Sequence, residues 1–244
     1  MGTMPFGMSS HEYQLWYSAG DGQKYLDILY EPFNVKCFPA TKWLGELGGH
    51  SNFPITTLAD MQGLIYRMGA GIEQDVLKGV GIEPWWCPGE EVYGALDRGV
   101  VDIIKWGGFR DNWAMKFHEV AAYVYVPGWQ KPGMNMSMEI NLDRWNALPD
   151  YQKRIIFMAN RTWSWDACNV VALEAEYYEK WVDYGITITR LDDASLQIMY
   201  DAAKVAIAEK CDANPLFKEI YENQMTFIKP IREVMALKAM PVLD

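Results

Sequence analysis

The chain is predicted to fold as an α/β protein, and three observations carry that expectation. Short apolar runs alternate with amphipathic ones between Leu64 and Trp106, the strand–helix alternation of an α/β sheet. The 244 residues are enough to bury a real core in one large domain or two lobes. Half of them are hydrophobic and 22% are charged, a globular composition and not a disordered one.

Ser9 to Tyr30 reads as helical, with a break expected near Gly20 and Gly22. Asn34 to Phe38 is a short strand, and Lys42 to Gly49 is extended into a Gly-Gly-His turn. A turn begins over Thr57 to Asp60, followed by a buried strand from Leu64 to Met68 and a helix from Gly69 to Gly79. That helix would start directly after Arg67, where unpaired N–H groups and the helix dipole favour an anion. Ile82 to Cys87 and Val100 to Lys105 are strands flanking a helix over Glu90 to Arg98 that Pro88-Gly89 opens.

Past a hinge-like Gly107-Gly108, a helix over Asp111 to Glu119 precedes strands at Ala121 to Val126 and Met134 to Ile140. Leu142 to Leu148 is a short helix. Asp150 to Tyr184 is a long one, with Pro149 at its first position, a core face of Ile156, Trp163, Val170 and Val171, and Gly185 as its stop. A strand at Ile186 to Thr189 and helices from Asp192 to Cys211 and from Asn214 to about Met240 complete the pattern.

The formal net charge of −10 disfavours nucleic acid and anionic membrane surfaces, because phosphate binding relies on clustered Lys and Arg. A small anion is still compatible, since the field inside a cleft outweighs the net charge. No apolar run is long enough to span a bilayer, and Met1-Gly-Thr-Met-Pro-Phe-Gly-Met8 has neither the basic region nor the apolar core of a secretory signal. Cys37, Cys87, Cys168 and Cys211 form no C-x-x-C pair and read as buried free thiols. Gly69-Ala-Gly-Ile-Glu-Gln74 imitates a dinucleotide fingerprint but lacks its third glycine, and His118-Glu119 lacks a second histidine. Neither G-x-S-x-G nor a Walker A sequence occurs, so no catalytic constellation and no cofactor site is expected.

Three segments carry a family resemblance: Leu58-Ala-Asp-Met-Gln-Gly-Leu-Ile-Tyr-Arg67, Pro88-Gly-Glu-Glu-Val-Tyr-Gly-Ala-Leu-Asp-Arg-Gly-Val-Val-Asp-Ile-Ile-Lys-Trp106 and Phe117-His-Glu-Val-Ala-Ala-Tyr-Val-Tyr-Val-Pro-Gly-Trp129. Together they resemble the solute-binding subunit of tripartite ATP-independent periplasmic (TRAP) transporters, in the branch that binds 2-oxo acids and similar monocarboxylates. The resemblance runs from about Pro5 to the C-terminus. It implies a type II periplasmic-binding-protein fold, non-catalytic, periplasmic and serving a membrane permease. It also implies that the first strand–helix units of lobe I are absent, leaving an incomplete first lobe, with residues 54–119 as an intact second lobe carrying the carboxylate site. Residues 120–244 would supply the remaining first-lobe elements and the long spanning helices. A chain complete as it stands would be cytoplasmic, and its bare apolar faces would favour a homodimer or larger assembly.

The resemblance assigns residues as well. Arg67 matches the arginine that clamps the substrate carboxylate, a task for which a guanidinium fork suits better than an ammonium. Trp106 matches the pocket tryptophan, while Trp129 is expected to pack, and Trp85 and Trp86 to serve core and rim. Lys105 departs from the family, which has there a glutamate that helps hold a sodium ion beside the substrate. Glu46 falls where the family has a glutamine ligand to that ion. A protonated lysine has only donors, so the expectation is that the Lys105 ammonium, paired with Glu46, takes over the charge of the ion. The competing expectations are that Lys105 reaches solvent from the strand end, and that the chain is an oligomeric relative that no longer transports. An enzyme on this fold is the least supported reading.

Overall fold

The computed structural model describes residues 3–166 and 169–240. The helical start is two helices, α1 (Ser10–Ala19) and α2 (Gly22–Tyr30), broken where the sequence placed the break. Ser9 and Glu12 form a reciprocal capping box that opens α1. Strand β1 (Val35–Leu44) pairs antiparallel with β7 (Gly133–Asn141) in a two-stranded sheet.

The second sheet has six strands in the order β4 (Glu83–Trp85), β3 (Ile65–Arg67), β5 (Ile103–Ile104), β2 (Gly49–Ser51), β6 (Tyr123–Val126) and β8 (Thr187–Arg190). It is mixed: β3 runs parallel to β4 and β5, β2 is antiparallel to β5 and β6, and β6 runs parallel to β8. The carboxyl ends of β3, β5 and β6 and the amino end of β2 therefore lie at one end of the sheet. Three of the six strands come from residues 54–119 and three from outside that span.

Successive strand residues face opposite sides, and the two cores follow from that. Ile103 and Tyr125 join Tyr66 in a cluster covered by α3 (Ile72–Gly79) and α9 (Asp193–Ala213). Their neighbours Ile104 and Val124 face the other core, with α4 (Val92–Asp97), Phe117 and Trp181 of α8 (Asn169–Tyr184). A third cluster joins α1, α2 and β1 to α10 (Pro215–Lys238).

Several expected boundaries shift for local reasons. Helix α3 starts at Ile72 and not at Gly69, because Gly71 at its cap has φ 148° and ψ −169°, outside helical space. The helix expected over Asp111 to Glu119 is α5 (Phe109–Ala114) and a separate 3-10 turn at Phe117–Glu119, divided by Lys116 at φ 61°. The long helical run appears as α7 (Asp150–Asp166) and α8, with residues 167–168, and hence Cys168, outside the described residues. Pro149 precedes the first helical residue, and Gly185 ends α8 at φ 98°.

The core face expected on that run is corrected in part: Trp163 and Val171 are exposed, while Ile156 and Val170 are half-buried. Helix α7 rests mainly on β1, where Phe157 meets Phe38 and buried Asn160 donates to the Pro39 carbonyl, so much of its apolar surface stays outside. Cys37 and Cys87 are buried free thiols as expected, whereas Cys211 is only half-buried.

Candidate functional site

The strand ends that the topology gathers carry the residues singled out in the sequence. Arg67 ends β3, Lys105 and Trp106 follow β5, Glu46 precedes β2, and Lys131 lies beyond the Pro127-Gly128-Trp129 turn that leaves β6. Backbone hydrogen bonds tie the segments together: the Glu46 N–H donates to the Lys131 carbonyl and the Leu47 N–H to the Gly107 carbonyl, each at 3.0 Å. Gly128 makes the approach possible, because a Cβ there would lie 1.7 Å from the Glu46 carbonyl oxygen. The Tyr125 hydroxyl donates to the Tyr66 hydroxyl, which donates to the Gly48 carbonyl and anchors the crossing segment to β3.

Glu46, Arg67, Lys105 and Trp106 all line one cleft of about 330 Å³, together with Gly69, Lys131, Met134 and Met136. The sequence expectation that these four residues converge is thus met in space. The cleft lies outside the carboxyl ends of parallel strands, a common location for ligands in α/β sheets.

Arg67 is buried and makes no bond to a protein carboxylate among the described residues. Its two terminal nitrogens donate to the Lys105 carbonyl at 3.1 Å and the Cys87 carbonyl at 2.9 Å, and its Nε is unpartnered. These bonds use only part of a five-donor group. They fix the plane of the guanidinium, which lies 5.4 Å from the centre of the Trp106 ring. Gly89 leaves room for that ring, since a Cβ there would meet Trp106 at 2.4 Å.

Lys105 does not reach solvent; its side chain is 2% exposed, and this corrects the snorkelling expectation. Its ammonium lies 2.7 Å from Glu46 Oε2 and 3.9 Å from Glu73 Oε1. Burial pushes the Lys105 ammonium below the usual lysine range; Lys131 adds to that, and Glu46 and Glu73 oppose it. Lys131 reaches both carboxylates at 3.6 Å. Gln130 donates to the Leu47 carbonyl at 2.7 Å and more weakly to Glu46 Oε2 at 3.4 Å.

Three residues of this cluster, Glu73, Gln130 and Lys131, were not singled out from the sequence. Gln130 and Lys131 directly follow the Pro127-Gly128-Trp129 motif, so position relative to that motif could have found them. Glu73 was visible as the acidic residue in the first turn of the helix after Arg67. It also corrects the expected anion position at that helix end: a protein carboxylate, folded back toward Gly69 and Gly71, already stands there.

The packing residues stand as expected. Trp129 is buried against Phe6 at a centroid distance of 6.1 Å, Trp85 packs on the second core, and Trp86 is exposed. His118 stacks on Trp113 at 3.9 Å, and among the described residues no group of three or more His, Cys, Asp or Glu is placed to hold a metal.

Comparison with known proteins gives a consistent family. The model for bacterial extracellular solute-binding protein, family 7 (DctP), matches residues 2–213. A monocarboxylate 2-oxoacid-binding periplasmic protein of Nostoc is 30% identical over 233 residues, covering 94% of this chain and 63% of the relative. The chain thus spans less than two thirds of that relative's length. A TRAP transporter solute-binding protein from Bordetella bronchiseptica, a mixed-occupancy dimer with copurified calcium and picolinate, superposes with a TM-score of 0.89 at 26% identity. That match covers 97% of this chain and 70% of the other. A TRAP periplasmic solute-binding protein from Pseudoalteromonas atlantica with bound sodium and pyruvate shares the fold, with a TM-score of 0.86 at 24% identity over 98% of this chain and 75% of that one.

Proposed function

We propose that this chain, which belongs to the DctP family of bacterial extracellular solute-binding proteins, binds a small organic monocarboxylate of the 2-oxo acid type in the cleft beside Arg67. The family is one of receptors and not of enzymes, so the chemistry needed is recognition alone. One observation carries the reading. Three cations (Arg67, Lys105 and Lys131) line one cleft, and among the described residues the carboxylates paired with them are two, Glu46 and Glu73, both on the lysines. That leaves one positive charge to be met by an anion.

Arg67 acts as the clamp. Its unused donors can form charge-assisted hydrogen bonds to a carboxylate while the backbone carbonyls hold its plane. Trp106 gives a flat apolar wall, and Met134 and Met136 add adaptable thioethers to the lining. The division that serves this site takes residues 54–119 as the lobe carrying its Arg67, Lys105 and Trp106, with Glu46 and Lys131 joining from the flanking segments.

The family's cation does not fit this site. A lysine ammonium at 2.7 Å from Glu46 brings donors where a metal needs lone pairs. We assign the role of fixed cation to Lys105, with Glu46 as its counter-ion, and binding is expected to be independent of sodium. An exported form would deliver the ligand to a TRAP membrane permease in the periplasm.

A thermal-shift panel tests the reading, with pyruvate, 2-oxobutyrate, lactate and an amino acid, with and without sodium, run beside Arg67→Ala. The expected result is a carboxylate-specific rise in Tm that ignores sodium and is lost in the variant. A flat panel for the unmodified protein would overturn it.

A second reading, an oligomeric binding or interaction protein without transport, is favoured by the exposed Tyr151, Ile155, Met158 and Trp163 along α7. Light scattering decides whether a homodimer or larger assembly forms, and a monomer at high concentration would count against it.

A further inference from the structure

Glu73 is a buried carboxylate with no role in the reading above beyond charge balance, and its surroundings give it one. It sits in the first turn of α3, 5% exposed. Its Oε1 has no hydrogen-bond partner and lies 3.6 Å from the Lys131 ammonium and 3.9 Å from that of Lys105. Gly71 leaves room for this carboxylate, since a Cβ there would lie 2.6 Å from Glu73 Oε2, and Oε1 comes within ordinary contact of Gly69, which lines the cleft. The positive end of α3 and the two lysines beside it, which would otherwise attract a second anionic group, thus already face an anion built into the protein.

We propose that Glu73 is a specificity-determining residue that makes the cleft select monoanionic over dianionic carboxylates; this rests on the carboxylate-binding reading above. With Glu73 ionised, the cluster of Arg67, Lys105, Lys131, Glu46 and Glu73 has one positive charge in excess. A monocarboxylate neutralises it. The second carboxylate of a dianion finds both lysines facing protein carboxylates and meets the like charge of Glu73 just behind them, 3.6 Å from Lys131 and 3.9 Å from Lys105, so discrimination comes from a repulsive charge beside the site and not from an added contact. Lys131, whose side chain is 21% exposed, is the one member of the lysine pair partly open to solvent and is the cation a second carboxylate would compete for.

The test is calorimetric titration of pyruvate and malonate, which have the same number of carbons and differ by one charge, into the unmodified protein and into Glu73→Gln. The amide keeps the shape and removes the charge. The unmodified protein is expected to prefer pyruvate by at least about tenfold, on the scale of like-charge repulsion at a partly solvated site. Glu73→Gln is expected to tighten malonate at least about tenfold relative to pyruvate. Lys131→Gln gives an independent arm should Glu73→Gln fold poorly: it removes the excess positive charge while leaving Glu73 in place. It should weaken both ligands and malonate more, moving the ratio the opposite way. Pyruvate binding with an unchanged malonate-to-pyruvate ratio in the variants overturns the role of Glu73 alone. No binding of any carboxylate by the unmodified protein overturns the carboxylate reading and this inference with it.

Discussion

Two buried polar clusters sit in the same mixed sheet, and they differ in kind. At the strand ends, Arg67, Lys105, Lys131 and Glu46 line a cleft, and Glu73 stands behind the two lysines. In mid-sheet, His50 on β2 meets the Asn112 side-chain amide at 2.7 Å, and Asn112 exchanges two further hydrogen bonds with the Gly107 backbone. His50 packs against Phe117 and Trp181, and burial pushes its imidazole down to about 3, so it is neutral. Each cluster leaves one ring or guanidinium nitrogen unpartnered, His50 Nδ1 and Arg67 Nε. An orphan donor therefore does not distinguish a candidate binding site from a structural knot. What distinguishes them is charge that the protein does not fully balance, next to open volume.

The comparison breaks most sharply at Glu46. Glu46→Ala removes the carboxylate 2.7 Å from a buried ammonium and leaves Glu73 at 3.9 Å as its nearer counter-ion. A loss of about 3–5 kcal/mol is expected, the scale for breaking a buried ion pair from one side. Adding Lys105→Met to Glu46→Ala should recover most of it, because the unpaired charge is then gone. Urea denaturation of the three proteins measures this. A cost below about 1 kcal/mol would mean the pair behaves as an exposed one, and the cleft would be no drier than surface.

Acid sharpens the other side of the comparison. Folded His50 takes up its proton near pH 3, whereas an unfolded histidine does so at about 6.5. Between these values the unfolded state binds the extra proton, so stability rises with pH and is lost as pH falls from about 6.5 toward about 3. By pH 5 the loss from this group is about 2 kcal/mol, at 1.36 kcal/mol per unit. Denaturation midpoints at pH 7 and pH 5 for the unmodified protein and His50→Gln, which keeps a partner for Asn112, check it. An equal slope in both proteins would remove His50 as the cause.

How much of this was legible depends on the kind of signal. The alternation of elements was readable because strand and helix periods are local: β3, β4, β5 and β6 fall inside the expected runs, and β8 runs one residue past its own. Arg67, Lys105 and Trp106 were readable because they lie in segments that resemble family motifs, and Glu46 by counting back from one of them. Glu73 and Lys131 were not: a carboxylate in the first turn of a helix and a lysine after a turn are, as sequence, ordinary solvated residues. Only the mixed topology, which brings the ends of β3, β5 and β6 to the start of β2, makes them neighbours. The exposed side of α7 was misread for the same reason, since periodicity marks an apolar face but not whether another element covers it.

The smallest expected effect separates the proposed carboxylate binding from stability at Lys105, which both are expected to involve. Burial first, and Lys131 second, lower the folded pKa of Lys105 against the pull of Glu46 and Glu73. Between that lowered value and the usual 10.5, the folded protein has released a proton that the unfolded chain keeps. Stability therefore rises with pH across this window. Carboxylate affinity moves the other way, because a neutral Lys105 no longer offsets the ligand's charge; in a solvent-open cleft the loss is about 1 kcal/mol, or roughly fivefold. Lys105→Arg, which stays charged throughout, should lack both trends. Titrating pyruvate from pH 7 to 10, beside urea melts at the same pH values, would show opposed slopes in the unmodified protein and flat ones in the variant. Parallel slopes in the unmodified protein would place the titrating group elsewhere and return Lys105 to a purely structural pair with Glu46.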